Sequence, residues 1–326
     1  VRPNSARLSL KHAGVALVAA LAAASAAPAA ERGAVHEAFV TNQSGNSLSI
    51  VALGTLDVAD TIEIGGRPAG IAVSGDGTRA YVTAPESKEL VVVDAVKRKV
   101  VKRIKVGAGP LGVAAHPTNG RVYVADWYKH KVFVVDPGAG TITAEIKVGN
   151  SPSGLAITPD GRLLLSADRD SNEVSVIDVE TNKRVGGVSV GARPFGITID
   201  ADGKRAYTAN VASDDVSVID IASRTMVATV PVGHRPYAVA LAGGHGFVTN
   251  QYGDDVSVFD LDTFKVVKTI TVGDHPEGIE ADPAGANVYV ACWFDNVLQR
   301  IDAAKLAVTG SADVGDGPRA FGLFLR

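Results

Sequence analysis

A single cysteine, Cys292, stands in the 326 residues. That excludes an intrachain disulfide, a thiolate zinc cluster, a Cys-x-x-Cys redox pair and covalent haem attachment through Cys-x-x-Cys-His. The seven histidines contain no His-x-x-x-His pair, so neither a metal nor a cofactor is expected. No Walker loop is present, which weakens an NTPase reading. Charge of one sign is lacking too: 32 Lys and Arg oppose 35 Asp and Glu, a balance of −3. Wholesale binding to nucleic acid or anionic lipid is therefore not expected.

What is present begins with a leader-like segment. Arg2, Arg7, Lys11 and His12 precede an apolar run over 13–24, and Ala27-Pro28-Ala29 follows as a small-x-small cleavage site. The run is shorter than the ~20 residues that a membrane span requires. The expectation is a signal peptide over 1–29, then one exported, periplasmic or secreted domain over 30–326. Loss of the leader's three cations shifts the net charge from −3 to −3 − 3 = −6.

The glycines, 35 in all against an average usage of about 7%, are periodic. They recur in Val-Gly-x-x-Pro, read as Ile64-Gly65-Gly66-Arg67-Pro68 in the first copy, whose prolines are Pro68, Pro110, Pro152, Pro194, Pro236, Pro276 and Pro318. The spacing is 42 residues except for 40 between Pro236 and Pro276. Within each unit, turn residues punctuate β-branched runs, as in Gly70-Ile71-Ala72-Val73, Ala80-Tyr81-Val82-Thr83, Leu90-Val91-Val92-Val93 and Lys99-Val100-Val101. Four short strands per repeat of about 40–45 residues is the pattern of a propeller blade. The chain is thus expected to be all-β, a seven-bladed β-propeller with four antiparallel strands per blade. Only Phe321–Leu325 follows the last repeat proline, enough for one inner strand, while residues 39–63 supply three more. The seventh blade is expected to be closed by N- and C-terminal strands, which removes free sheet edges.

Phe39-Val40-Thr41-Asn42, Phe247-Val248-Thr249-Asn250, Tyr81-Val82-Thr83-Ala84 and Tyr123-Val124-Ala125-Asp126 are followed by Val174-Ser175-Val176-Ile177-Asp178 and Val216-Ser217-Val218-Ile219-Asp220. On these motifs the sequence, from residue 38 to the end, resembles the YVTN-type β-propeller repeat proteins. The resemblance implies the fold. It also implies a family that hosts binding proteins, surface-layer-like modules and relatives of periplasmic quinoprotein subunits.

Each Val-Gly-x-x-Pro crosses from the outer edge of one blade to the inner strand of the next, so its neighbours stand at the mouth of the central channel. Ordered around the ring, Arg193, Arg235, His275, Arg319 and Arg67 form a cationic arc suited to carboxylate or phosphate. Tyr237, Trp127 and Trp293 are added as contact residues. Asp126 and Asp168 to Asp170 are expected to make the rest of the mouth aromatic and acidic. The expected function is a non-catalytic binding module, a monomer, for a protein or a small anionic ligand. Two alternatives stand beside it. One is a lactonase or cycloisomerase in which His275 or Glu277 moves a proton and arginine holds a carboxylate. The other is an accessory subunit of a periplasmic quinoprotein or amine dehydrogenase.

Overall fold

Repeated β-branched runs require sheets that are buried on both faces, and the computed structural model, which describes residue 1 and residues 36–326, forms them. The proposed leader and its cleavage site lie outside the described residues. Blade 1 shows the plan: Gly70–Val73, Arg79–Ala84, Glu89–Asp94 and Lys99–Lys105 pair in sequence order, antiparallel throughout. The same plan repeats in blades 2 to 6, over 110–147, 152–189, 194–231, 236–271 and 276–313.

The middle strands of each blade are buried on both faces because a neighbouring blade covers each side. The outer strand keeps one anchor, its penultimate or near-penultimate apolar residue: Ile62, Ile104, Ile146, Val188, Val230, Ile270 and Ala312 are buried. Each outer strand also carries a bulge, as where Val92 pairs Lys102 but Val93 pairs Val100. Bulges and charges on an edge strand discourage pairing with other chains.

The motif threonines join consecutive blades. Thr41, Thr83 and Thr249 donate to the carbonyls of Ala69, Leu111 and Glu277 at 2.9, 2.6 and 2.8 Å, in each case on the next inner strand. Inner strands then approach so closely that a Cβ on Gly112 would drive into the Ser153 carbonyl, and one on Gly154 into that of Phe195. At these crossings glycine, two residues after the repeat proline, admits the close approach, and in blades 5 and 7 Ala238 and Ala320 take its place.

Blade 7 is made of Glu37–Asn42, Ser47–Ala52 and Asp57–Glu63 with the C-terminal segment inside them. Pro318 bridges Asn42 and Leu325 bridges Ala38, so the segment runs antiparallel along the first strand as expected. Its middle differs. Phe321–Leu323 swings away to pair in parallel with Gly70–Val73 of blade 1. Ala320 and Gly322, both at positive φ (45° and 129°), make that excursion. Blade 6 adds a third hold, since buried Glu280 accepts the N–H groups of Phe324 and Leu325, the latter at 2.8 Å.

Candidate functional site

The residue before the repeat proline adopts a left-handed backbone, rare for non-glycine residues, in every repeat except that of Gly109. Arg67, Arg193, Arg235 and His275 have φ of 54°, 59°, 56° and 55°. What holds them is one repeated bond. Their N–H groups donate to Asn46, Asn172, Asp214 and Asp254 at 2.9, 2.8, 2.8 and 3.0 Å, acceptors that sit in the second-to-third loops. The backbone is fixed by the loop, and the side chain is left to the rim.

The residue after each proline points to the axis. Ala69, Leu111, Phe195 and Tyr237, from four blades, form part of one buried cluster that Phe321 of the C-terminal segment joins. Phe195 lies 4.5 Å from Tyr237 and 5.0 Å from Phe321, centroid to centroid. An aromatic plug therefore fills the mouth. Trp127 covers it, 6.3 Å from Phe195, with the Arg169 guanidinium 5.4 Å above the indole. Trp293, half-buried, lies against the crossing at Gly317.

Beside the plug the same positions carry charge. Arg319 Nε and Nη2 donate to the Tyr237 hydroxyl at 2.8 and 2.6 Å, and Nε lies 3.1 Å from Glu277 Oε2. Gln251 donates from Nε2 to Glu277 Oε1 at 2.7 Å and accepts Arg235 Nε at 2.7 Å. Gln43 accepts Arg319 Nη1 at 3.3 Å. Each of the two guanidiniums also lies over a tyrosine, Arg235 at 4.6 Å from the Tyr252 centroid and Arg319 at 5.8 Å from that of Tyr237.

Burial pushes the Glu277 carboxyl above the usual carboxylate range, against the pull of Arg319, Tyr237 and Gln251. It likewise raises the Tyr237 phenol. Burial opposes the Arg319 charge, but Tyr237 and Glu277 outweigh it, and the guanidinium stays cationic.

The arc is thus not uniform. Arg319, its side chain 17% exposed, is neutralised by Glu277, and Arg67 stands in an exposed pair with Glu86 at 3.7 Å, worth little. His275 turns to Asp274 at 3.0 Å, and its ring packs 4.6 Å from Phe294 and 5.3 Å from Tyr252. No hydrogen bond joins it to Glu277 among the described residues. Arg235 is half-buried, and the exposed Arg193 guanidinium has no ion-pair partner among the described residues. Asp254, Asp274 and His275 bring three potential ligand atoms within 4.8 Å of one another, but Asp254 Oδ1 already accepts the His275 N–H.

The expected acidic half of the mouth is corrected in part. Asp126 and Asp168 are fully buried. Asp126 accepts four N–H groups, those of Ala108, Gly109, Tyr128 and Lys129, and Asp168 accepts from Gly149, Ser166 and Ser175. They are loop staples, and Asp170 remains. Cys292 occupies the same staple position, fully buried, and burial pushes its thiol up to about 12.

Two letter strings that match catalytic motifs are emptied by their context. Gly187-Val188-Ser189-Val190-Gly191 lies at the end of an exposed outer strand, and Gly107-Ala108-Gly109-Pro110-Leu111-Gly112 crosses between blades with no helix after it. Gln43 is the residue that sequence reasoning missed, whereas Gln251, with Tyr252, is a mouth residue that the repeat register itself places in blade 5. Each follows the second strand of its blade, where the repeat register reads Gln43, Pro85, Trp127, Arg169, Val211, Gln251 and Trp293. The variation at that register position was the available signal.

Two family models match parts of the chain: "YNCE-like beta-propeller" over residues 11–121 and "Lactonase, 7-bladed beta-propeller" over 94–234. Neither reaches Arg235, Glu277 or Arg319. No curated protein matches the sequence. Among solved structures, Kuenenia stuttgartiensis hydrazine synthase is similar at TM-score 0.74 and 22% identity, over 86% of this chain and 99% of that one. A functionally unknown protein from Desulfotomaculum acetoxidans gives 0.75 and 17%, over 88% and 100%. The dihydro-heme d1 dehydrogenase NirN, in complex with DHE, gives 0.66 and 14%, over 92% and 77%. At these identities the likeness is one of fold.

Proposed function

We propose that this chain is an exported binding module whose channel-mouth face, on the side of blades 4 to 7, takes a carboxylate- or phosphate-bearing ligand. One observation carries the reading: Arg235 and Arg319 are each oriented by a glutamine and a tyrosine, yet only Arg319 lies against the buried Glu277 carboxylate. Among the described residues neither the Arg235 nor the Arg193 guanidinium has an ion-pair partner, which leaves both free to meet an anion. Guanidiniums held in place lose little entropy when they bind, and a concave mouth concentrates their field. The aromatic plug supports a ligand that sits on the rim rather than threads the channel.

Titration calorimetry with inorganic phosphate, citrate and aromatic carboxylates tests this. Arg235→Ala should cost about 1.5–3 kcal/mol as a charge-assisted hydrogen bond. Lys204→Ala, whose ammonium pairs with Asp202 at 2.5 Å beside the turn on the opposite face, should cost nothing. Equal, small effects at Arg235 and Lys204 would remove the reading.

The lactonase model over 94–234 favours a second reading, turnover of a lactone with Glu277 as the proton carrier. Its support is the raised Glu277 carboxyl beside Tyr237 and Arg319. Lactone hydrolysis that survives purification and is lost in Glu277→Gln would establish it. The accessory-subunit alternative requires a redox partner, visible as colour in a native pull-down.

A further inference from the structure

The outer strands of blades 7 and 1 are neighbours, and their charges are opposite. From 97 to 105 blade 1 carries Lys97, Arg98, Lys99, Lys102, Arg103 and Lys105 with no acid, whereas from 55 to 63 blade 7 carries Asp57, Asp60 and Glu63 with no base. Some of these cations tie the ring together. Arg98 reaches Glu37 and donates to the Ala59 carbonyl, Arg103 donates to that of Ile64, and Lys105 pairs with Glu89. The others do not. Among the described residues Lys97, Lys99, Lys102, Asp57, Asp60 and Glu63 have no ion-pair partner, although opposite charges stand on the adjacent edge. Charges placed only to stitch the two blades would pair within the chain.

Between them lie exposed valines, Val58 at 40%, Val96 at 60% and Val101 at 45%. A small apolar centre flanked by charge has the composition of a protein contact. The bulges at Ala59 and Val101 oppose main-chain pairing, so such a contact uses side chains. We infer that this two-blade rim is a contact between two copies of the chain, in which the acidic edge of blade 7 faces the basic edge of blade 1 in the other copy. Only a two-fold axis parallel to the propeller axis reverses the order of the two edges, so the copies lie side by side with both mouths on one side. Such a contact is isologous and closed. The monomer expected from the sequence is then the high-salt form.

Sedimentation velocity on the full chain reads this directly. At low salt the expected result is a dimer that dissociates toward 1 M salt, where the Debye length falls to about 3 Å. The double variants Lys99→Glu with Lys102→Glu, and Asp57→Lys with Asp60→Lys, should each be monomeric alone. Mixed in equal amounts they should form a heterodimer, since each then meets an opposite edge. Recovery of that heterodimer also proves both variants folded. A wild type that stays monomeric at low salt and high concentration, a dimer unmoved by salt, or a mixture that does not associate would overturn the inference.

Discussion

Arg319 and Glu277 come from blades 7 and 6, and their side chains meet at 3.1 Å in the buried mouth, with the Tyr237 hydroxyl accepting two bonds from the same guanidinium. A buried ion pair is costly to break and cheap to replace as a whole. It therefore fixes which way the mouth charges point more than it stabilises the fold.

The first prediction follows from that asymmetry. Arg319→Met or Glu277→Leu alone should destabilise the protein by about 3–5 kcal/mol, by leaving a buried charge without its partner. The double change should recover much of that loss. Urea denaturation of the three variants measures it, and additive losses would show that the two side chains do not act as a pair.

Removal of the last seven residues, 320–326, should destabilise the ring far beyond their number. The segment fills the inner position of blade 7, pairs with blade 1 and is held by Glu280 of blade 6, and Phe324 within it is fully buried. In a propeller each blade contacts its neighbours, so opening one joint frees two edges. A truncated chain that melts at the temperature of the intact one would refute this account of closure.

His116 provides a pH dependence whose sign is fixed. Its Nδ1 accepts the N–H groups of Thr118 and Asn119, both at 3.1 Å, so the ring is neutral and Nε2 donates to the Gly161 carbonyl of the next blade at 3.0 Å. Burial lowers the imidazole pKa below 6.5. The native state then binds fewer protons than the unfolded chain, so this contribution is complete above about pH 6.5 and is lost as pH falls toward the lowered value. Urea midpoints at pH 7.5 and 5.5 should drop more for the wild type than for His116→Asn. Equal drops would assign the acid sensitivity elsewhere.

Cys292 should be inert to alkylating and disulfide reagents at pH 8 in the folded protein, because its thiol is fully buried and pushed up to about 12. In denaturant it should react at the rate of an ordinary thiol. Rapid labelling of the native chain would contradict the burial of this staple position.

Sequence by itself determined the ring. A motif repeated at constant spacing, with β-branched runs between turns, specifies four strands per blade because each run finds the same neighbours in every repeat, and seven prolines specify seven crossings. The terminal closure was legible too, since the ends held complementary parts of one blade. Tertiary structure alone decided the chemistry of the mouth. Arg67, Arg193, Arg235 and Arg319 look alike in the string, but seven inner strands converge there and each side chain's fate depends on residues some tens to hundreds of positions away. Gln43 meets Arg319 and Glu277 meets Arg319 only after closure, and Asp126 changes from a rim charge to a loop staple. Periodicity records what the repeats share. A functional mouth is built from the positions where they differ, and only the closed ring sets those positions against one another.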